Sequence, residues 1–196
     1  LEMEIPEVAE GEVKVKSISR DAGHRTKVAV WSDEDKIDPV GACIGQKGVR
    51  IQSVMDELGG ERVDIIEWSK DPKEFIATAL QPAKIAEVII VNSGEDTRVR
   101  KRAAVFVEEA ERPMAIGKKG QNVRLASELT GFELDLYNLE QLPAFKTKLE
   151  EMMGNPDAAA PNRRLEDDVL APSAEEAIVP PEAEMTEEET VKAEKE

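Results

Sequence analysis

One short motif occurs twice in this chain, and the duplication restricts the possible fold more than any other feature. The first copy is Ile-Gly-Gln-Lys-Gly at residues 44–48, and the second is Ile-Gly-Lys-Lys-Gly at residues 116–120, 72 residues later. Each copy is followed by an amphipathic helical pattern and then by a short alternating strand. A repeat at this spacing indicates two copies of one domain rather than a solenoid of short units.

The chemistry of the repeated turn points to an anion. Glycine at both ends lets the turn run close to another molecule, because no Cβ stands in the way. The turn also opens a helix, so free N–H groups and the positive end of the helix dipole point outward, where phosphate binds readily. Lys47, Lys118 and Lys119 add full charges. These are the features of a KH domain, whose GXXG loop holds about four nucleotides; two ordinary helical corners with solubilising lysines are the alternative.

The charge of the chain is unevenly distributed. The net charge is −16, but fifteen acidic and four basic residues from Glu150 onward account for −11, which leaves about −5 for the rest. Any RNA-binding surface must therefore be local. After Gly154 the composition shifts to Ala, Pro and Glu, and such a segment buries too little apolar surface to offset its ordering entropy. We expect residues 154–196 to form a disordered acidic tail.

Cysteine and histidine are nearly absent, and this limits the possible chemistry. A single cysteine, Cys43, excludes a disulfide framework and suits a cytoplasmic protein. We expect Cys43 in the core rather than as a nucleophile, and His24, the only histidine, at the surface rather than as a metal ligand. No catalytic residue, metal or cofactor is predicted, and no apolar run is long enough to cross a membrane. The chain begins with Leu1 instead of methionine, so we expect it to be part of a longer protein.

Both halves show one order of elements: helix, strand, strand, helix, turn, helix, strand. In the first strand Val13, Val15 and Ile18 alternate with charged residues, which predicts that these three share the buried face. Aspartate followed by proline at residues 38–39 and 71–72 predicts two helix starts. A further helix is expected over residues 108–116.

The predicted fold class is α+β, with a three-stranded sheet in each half and the helices packed on one face. The predicted organisation is a first domain over residues 1–70, a second over 71–141, a short helix over 142–153 and the acidic tail.

Several stretches resemble the KH domains of the NusA family of bacterial transcription elongation, termination and antitermination factors. Residues 38–45, continuing to Arg50 and Ile51, resemble the first KH domain, and residues 114–126 are similar to the second; residues 25–30 and 79–83 also look like family segments. The resemblance covers about residues 5–140. It implies a tandem pair of prokaryotic-type (type II) KH domains, each with the GXXG loop late in the domain.

The resemblance also implies two partners, single-stranded nascent RNA and RNA polymerase, the latter contacted mainly through domains absent from this chain. We expect a monomer. A KH pair from another RNA machine, associated with the ribosome or a ribonuclease, is the alternative. An enzyme with a phosphate-binding loop is disfavoured, because neither G-x-G-x-x-G nor G-x-x-x-x-G-K-[ST] occurs.

The predicted RNA-binding residues lie in the two turns and in the helix starts that follow. They are Ile44, Gly45, Gln46, Lys47, Gly48, Arg50, Ile116, Gly117, Lys118, Lys119, Gly120, Asn122 and Arg124. The lysines are expected on phosphate, and the isoleucines form either a floor for the bases or part of the core. Arg50, Asn122 and Arg124 are placed to reach phosphate or base edges, with a salt bridge on the helix face as the alternative for Arg124. The basic run Arg98, Arg100, Lys101 and Arg102 is either a second RNA contact or a charged hairpin edge.

Overall fold

The computed structural model describes residues 1–34, 36–93 and 100–154, with side chains as far as Glu151. The expected acidic tail after Gly154 lies outside these residues, as does Arg98 of the basic run. The first domain contains α1 (Pro6–Ala9), β1 (Val13–Asp21), β2 (Arg25–Ser32), α2 (Pro39–Ile44), α3 (Val49–Glu57) and β3 (Arg62–Glu67). The second contains α4 (Pro72–Ala79), β4 (Ile85–Asn92), β5 (Arg102–Val107), α5 (Arg112–Ile116), α6 (Gln121–Thr130) and β6 (Glu133–Asn138), and α7 (Leu142–Gly154) follows.

The two sheets have the same topology. Their strand orders are β1-β2-β3 and β4-β5-β6. In each sheet the middle strand pairs antiparallel with the first strand and parallel with the third. This confirms the predicted α+β class, with a three-stranded sheet in each half and one order of elements in both.

The helices of the first domain pack on one face of its sheet. Val28 and Val30 of β2 and Ile65 of β3 form a core with Cys43 of α2 and Ile51 of α3. Period-two alternation places these strand residues on the same side, and the helices cover that side.

The opposite face of the first sheet is covered by the second domain. Ala29 of β2 and Ile66 of β3 are buried in a core that also contains residues of α4, α6 and the second sheet. On β1, the Ser19 hydroxyl donates a hydrogen bond of 2.8 Å to a carboxylate oxygen of Glu128 in α6. The two domains therefore share apolar packing as well as polar contacts.

The far face of the second sheet is covered by α7. The rings of Phe106 and Tyr137 are stacked with their centroids 5.5 Å apart, and the ring of Phe145 in α7 lies 5.2 Å from each of them. This aromatic cluster accounts for burial on both sides of β5.

Strand β1 departs from the predicted alternation. Val13 is buried as expected, but Val15 and Ile18 are 37% and 57% exposed. The pairing with β2 shifts register between Val15 and Ser17, so Ile18 lies opposite Val28 as Val15 lies opposite Val30. Directly opposite residues share a face of the sheet, and the bulge therefore keeps Ile18 on the same side as Val15. Ser19 lies opposite Lys27, on the other face, where the second domain covers it. The prediction that Val13, Val15 and Ile18 share a face agrees with the register, but the expected burial is wrong for Val15 and Ile18, which lie on the edge strand of the sheet.

Helix α5 is shorter than predicted. It begins at Arg112 rather than at residue 108, and residues 109–111 form a turn. Pro113 lies in the first turn of the helix. Proline favours a helix start, because it lacks the N–H that would donate to the preceding turn.

Candidate nucleic-acid interface

The two repeated turns have the same backbone conformation. Gly45 and Gly117, the first glycines, have φ values of 71° and 74°, each with ψ of 175°. Gly48 and Gly120, the second glycines, have φ values of 78° and 73°. In each turn the N–H of the second glycine donates to the carbonyl of the first, at 3.1 and 3.2 Å respectively. The sequence repeat is therefore also a repeat of geometry.

A lysine inside each turn adopts the left-handed conformation. Lys47 and Lys119 both have φ of 54°, and they are the two non-glycine residues with positive φ in the described ranges. This conformation costs a residue with a Cβ roughly 1–2 kcal/mol. Both side chains are exposed, as is that of Lys118. Each turn thus presents ammonium groups to solvent from a constrained backbone.

The first glycine of each turn has a steric reason to be glycine. A Cβ on Gly45 would lie 2.7 Å from Cγ of Arg50, and a Cβ on Gly117 would lie 2.7 Å from Cβ of Asn122 and 2.9 Å from its backbone nitrogen. In contrast, a Cβ on Gly48 or on Gly120 would meet nothing within 4 Å. The helix after each turn therefore packs directly against the first glycine.

The helices that follow the turns have uncapped N-termini. No side-chain hydrogen bond caps α3 at Gly48 or α6 at Gly120 within the part of the chain that the structure describes. The first-turn N–H groups and the positive end of each helix dipole consequently lie beside the exposed lysines. An anion at either position would be attracted by the helix dipole and the free N–H groups, which are fixed, and by the lysine ammonium groups, which are flexible.

Arg50 anchors the first turn. Its Nη1 donates a hydrogen bond of 2.8 Å to the Ala42 carbonyl. The same nitrogen lies 2.9 Å from both carboxylate oxygens of Glu7 in α1. Backbone hydrogen bonding, followed by the contact with Arg50, lowers the pKa of Glu7. The guanidinium predicted to contact RNA is thus already engaged within the first domain.

Asn122 anchors the second turn from a buried position. Only 1% of this residue is exposed. Its Nδ2 donates to the carbonyls of Leu80, Ala115 and Met114 at 2.9, 3.1 and 3.3 Å. Asn122 therefore has almost no surface for a ligand, and its predicted direct contact with RNA does not fit this burial; we propose that it supports the turn instead.

Arg124 forms a salt bridge, but with a residue of β1 and not along its own helix face, which was the alternative given for it. Its Nη2 lies 3.1 Å from Oδ2 of Asp21, at the end of β1. Nε2 of Gln121 donates to the same oxygen at 2.6 Å. The Arg124 side chain is nevertheless 57% exposed, so it can contact a ligand at the second turn while it remains near Asp21.

Apolar surface borders the turns. Ile44 is 37% exposed and Ile116 is half-buried. Val49 and Met114, next to the two turns, are 65% and 47% exposed. This exposure favours a floor for bases over a place in the core. Gln46 is also exposed.

The remaining candidates have structural explanations. Cys43 is fully buried, as expected, and burial raises the pKa of its thiol to about 11. His24 is exposed in the β1–β2 turn, also as expected. In the basic run, Arg102 forms a hydrogen bond of 2.6 Å with Asp135, and the Lys101 ammonium lies 5.6 Å from the centre of the Phe132 ring. These contacts give both residues structural partners, but Arg102 lies in the middle strand of its sheet, so it does not form a charged edge.

The partners of the turn residues were not foreseen from the sequence. Glu7 and Asp21 lie far from the turns along the chain, and nothing local marks them. One signal was available: Arg50 and Asn122 are 72 residues apart, the same spacing as the turns, which suggests a shared supporting role.

The described ranges contain neither a metal-binding cluster nor a membrane-spanning helix. In the described ranges, no group of three or more His, Cys, Asp or Glu side chains is arranged to hold a metal ion. None of the helices in those ranges has the length and apolar character needed to cross a bilayer.

The two sheets and their paired Gly-x-x-Gly turns define a tandem KH-domain protein. Residues 1–68 match the model for the NusA-like first KH domain, and residues 72–143 match the model for the NusA-like second KH domain. The chain belongs to the NusA family.

Three curated relatives carry the name "Transcription termination/antitermination protein NusA". The chain is 44% identical to the Bacillus subtilis protein over 76% of this chain and 40% of the relative. It is 50% identical to the Borreliella burgdorferi protein over 76% of this chain and 30% of the relative. It is 51% identical to the Thermus thermophilus protein over 71% of this chain and 35% of the relative. The chain thus spans less than half the length of these relatives.

Proposed function

We propose that the paired turns bind the phosphate backbone of one single-stranded RNA. The observation that carries this proposal is the repeated geometry: two turns of equal backbone conformation, each with an exposed lysine at φ of 54°. Lysine ammonium groups and first-turn amides favour phosphate, and the adjoining exposed isoleucine, valine and methionine suit unstacked bases. Only 4% of the residues are aromatic, so we expect bases to be held by apolar contact and hydrogen bonds more than by stacking.

The proposed biological role is in transcription, as one part of a larger factor that acts with RNA polymerase. The relatives are named for termination and antitermination, and this supports the proposal. The role is one of binding rather than catalysis, carried out by a monomer in the cytoplasm. Crosslinking to RNA polymerase in a cell extract would support this role, whereas crosslinking to ribosomes alone would favour another RNA machine.

The RNA proposal is tested by reversing charge at the second turn. We expect Lys118→Asp with Lys119→Asp to abolish binding of a labelled single-stranded RNA and to leave the circular dichroism spectrum unchanged. The matched control is Lys70→Asp with Lys73→Asp, which changes the net charge equally. Both control lysines are exposed, and they lie before or within the first turn of α4, whereas the Leu80 carbonyl that Asn122 contacts lies at its other end.

Two results would contradict the RNA proposal. One is full binding by the variant with aspartates at 118 and 119. The other is an equal loss in the control, which would mean that net charge rather than the turn controls affinity. A single-stranded DNA of the same sequence shows whether the 2′-hydroxyl contributes to recognition.

A further inference from the structure

A charged side chain is buried where the two domains meet. Lys27 of β2 has 0% exposure, and it lies in the strand whose Ala29 packs against the second domain. Its Nζ is 3.3 Å from Oδ2 of Asp64 in β3 and donates a hydrogen bond of 3.1 Å to the Gln81 carbonyl, just after α4. Burial lowers the pKa of this ammonium group, while the charge of Asp64 opposes that shift. An ammonium removed from water is costly unless its partners are well placed.

The contact at Gln81 continues toward the second turn. The neighbouring carbonyl, that of Leu80, accepts a hydrogen bond of 2.9 Å from Nδ2 of Asn122. The same nitrogen donates to the Ala115 carbonyl, two residues before Gly117, at 3.1 Å. Two adjacent peptide carbonyls thus join the ammonium of the first sheet to the amide beneath the second turn.

The first turn has a different support. Its anchor, Arg50, contacts Glu7 and the Ala42 carbonyl, both of which belong to the first domain. Among the residues that the structure describes, only the second anchor contacts the same backbone segment, residues 80–81, as a buried charged side chain of the other domain. The two turns should therefore respond differently when that charge is removed.

We propose that Lys27 is a positioning residue for the second turn. Through the carbonyls of Gln81 and Leu80 and the amide of Asn122, it holds the second turn in a fixed place relative to the first sheet. This inference rests on the proposed function in one respect, because it takes RNA as the ligand whose affinity depends on that placement.

The test combines Lys27→Met with a weakened variant of each turn. Methionine removes the ammonium but keeps an unbranched side chain of similar length. We expect Lys27→Met to raise the Kd for single-stranded RNA about fivefold in the wild-type background and in Lys47→Ala. In Lys119→Ala the increase should be less than twofold, because the second turn already contributes less. Lys14→Met, on the neighbouring strand β1 and half exposed, is the control and should change the Kd little in any background.

A second measurement requires no RNA. In NMR spectra of the free protein, Lys27→Met should shift the amide signals of residues 117–120 and leave those of residues 45–48 in place. Equal increases in Kd in all three backgrounds, or equal shifts at both turns, would overturn the proposal. If amide signals at 117–120 move as expected but the wild-type chain binds no RNA, the positioning role stands and the proposed function fails.

A variant of Asn122, at the other end of this series of contacts, tests the proposal if Lys27→Met fails to fold. Asn122→Leu keeps a branched, uncharged side chain of similar size but removes the amide donor. It should give the same pattern, with the loss of affinity present in Lys47→Ala and reduced in Lys119→Ala. A loss that is equal in both backgrounds would again overturn the proposal.

Discussion

Arg50 and Asn122 occupy equivalent positions beneath the two turns. Each lies five residues after the first glycine and packs against it. Each also donates to the carbonyl three residues before that glycine, at 2.8 Å for Arg50 and 3.3 Å for Asn122. Their other partners differ, because Arg50 meets a carboxylate and Asn122 meets a peptide carbonyl. The same geometry is therefore supported by an ion pair in one domain and by a neutral, buried amide in the other.

This difference predicts distinct responses to salt. Asn122→Ala should cost roughly 1–3 kcal/mol of unfolding free energy, because it removes buried hydrogen bonds to three carbonyls, of which that of Leu80 keeps the Ala83 N–H as a donor. Arg50→Ala should cost about 1 kcal/mol or less, because the Arg50 and Glu7 side chains are 36% and 27% exposed. Urea unfolding at low and high salt measures both. We expect the Arg50 effect to shrink as salt rises and the Asn122 effect to persist; the reverse pattern would contradict the assigned supports.

The two glycines of a turn should differ in their tolerance of alanine. Gly117→Ala combines positive φ with a Cβ that would lie 2.9 Å from a backbone nitrogen, whereas Gly120→Ala has positive φ and open space. Alanine at Gly120, with ψ of 12°, costs roughly 1 kcal/mol of backbone strain. Alanine at Gly117, with ψ of 175°, costs roughly 1–3 kcal/mol, because that region is essentially restricted to glycine. We expect Gly117→Ala to lower the melting temperature further than Gly120→Ala does. Equal melting temperatures would mean that the turn moves away from Asn122 at little cost.

The left-handed lysine predicts a separation of stability from binding. Lys119→Gly and Lys119→Ala remove the same charge, but only glycine adopts φ of 54° without strain. We expect the glycine variant to be more stable than the alanine variant by about 1 kcal/mol. Both should bind RNA more weakly than the wild type. Thermal unfolding and fluorescence anisotropy measure the two quantities, and a more stable alanine variant would contradict the backbone argument.

Glu61 should make the first domain sensitive to acid. Hydrogen bonds from Arg20, first, and then from Thr26 and the Gly23 amide lower the pKa of Glu61 to about 2. A carboxyl group with a lowered pKa stabilises the fold above its ordinary pKa of 4.5, and that contribution is lost as the pH falls toward 2.

Glu61→Gln should therefore flatten the loss of unfolding free energy between pH 4.5 and pH 2. Glu57→Gln is the control, because Glu57 is exposed in α3. A profile for Glu61→Gln that remains as steep as the wild-type profile would assign the acid sensitivity to other carboxylates.

The salt dependence of the RNA-binding constant should report how many phosphates the turns contact. The logarithm of the binding constant for a single strand falls by about 0.7 per phosphate neutralised for each decade of salt. Lys47→Ala should reduce that slope by about 0.7, and so should Lys119→Ala. A series of anisotropy titrations at several salt concentrations gives the slopes. Lower affinity with an unchanged slope would mean that the lysines act on the turn rather than on phosphate.

Much of the fold could be predicted from local sequence patterns. The aspartates before Pro39 and Pro72 cap helices as predicted, and Asp38 accepts hydrogen bonds from Val40 and Gly41 at 3.1 and 2.9 Å. The repeat located both turns. Such features depend on residues within a few positions of one another, so the chain carries them without reference to its tertiary structure.

The sequence by itself determined the duplicated turn, its glycine pattern and its lysines, because backbone preference and charge are local properties. Only the tertiary structure decided which side chains are free to meet a ligand. Asp21 reaches Gln121 across 100 positions of the chain, and the Lys27 ammonium reaches the Gln81 carbonyl across 54. No local pattern encodes such pairs; they arise when the second domain packs on the face of β1 and β2 that the first domain leaves uncovered.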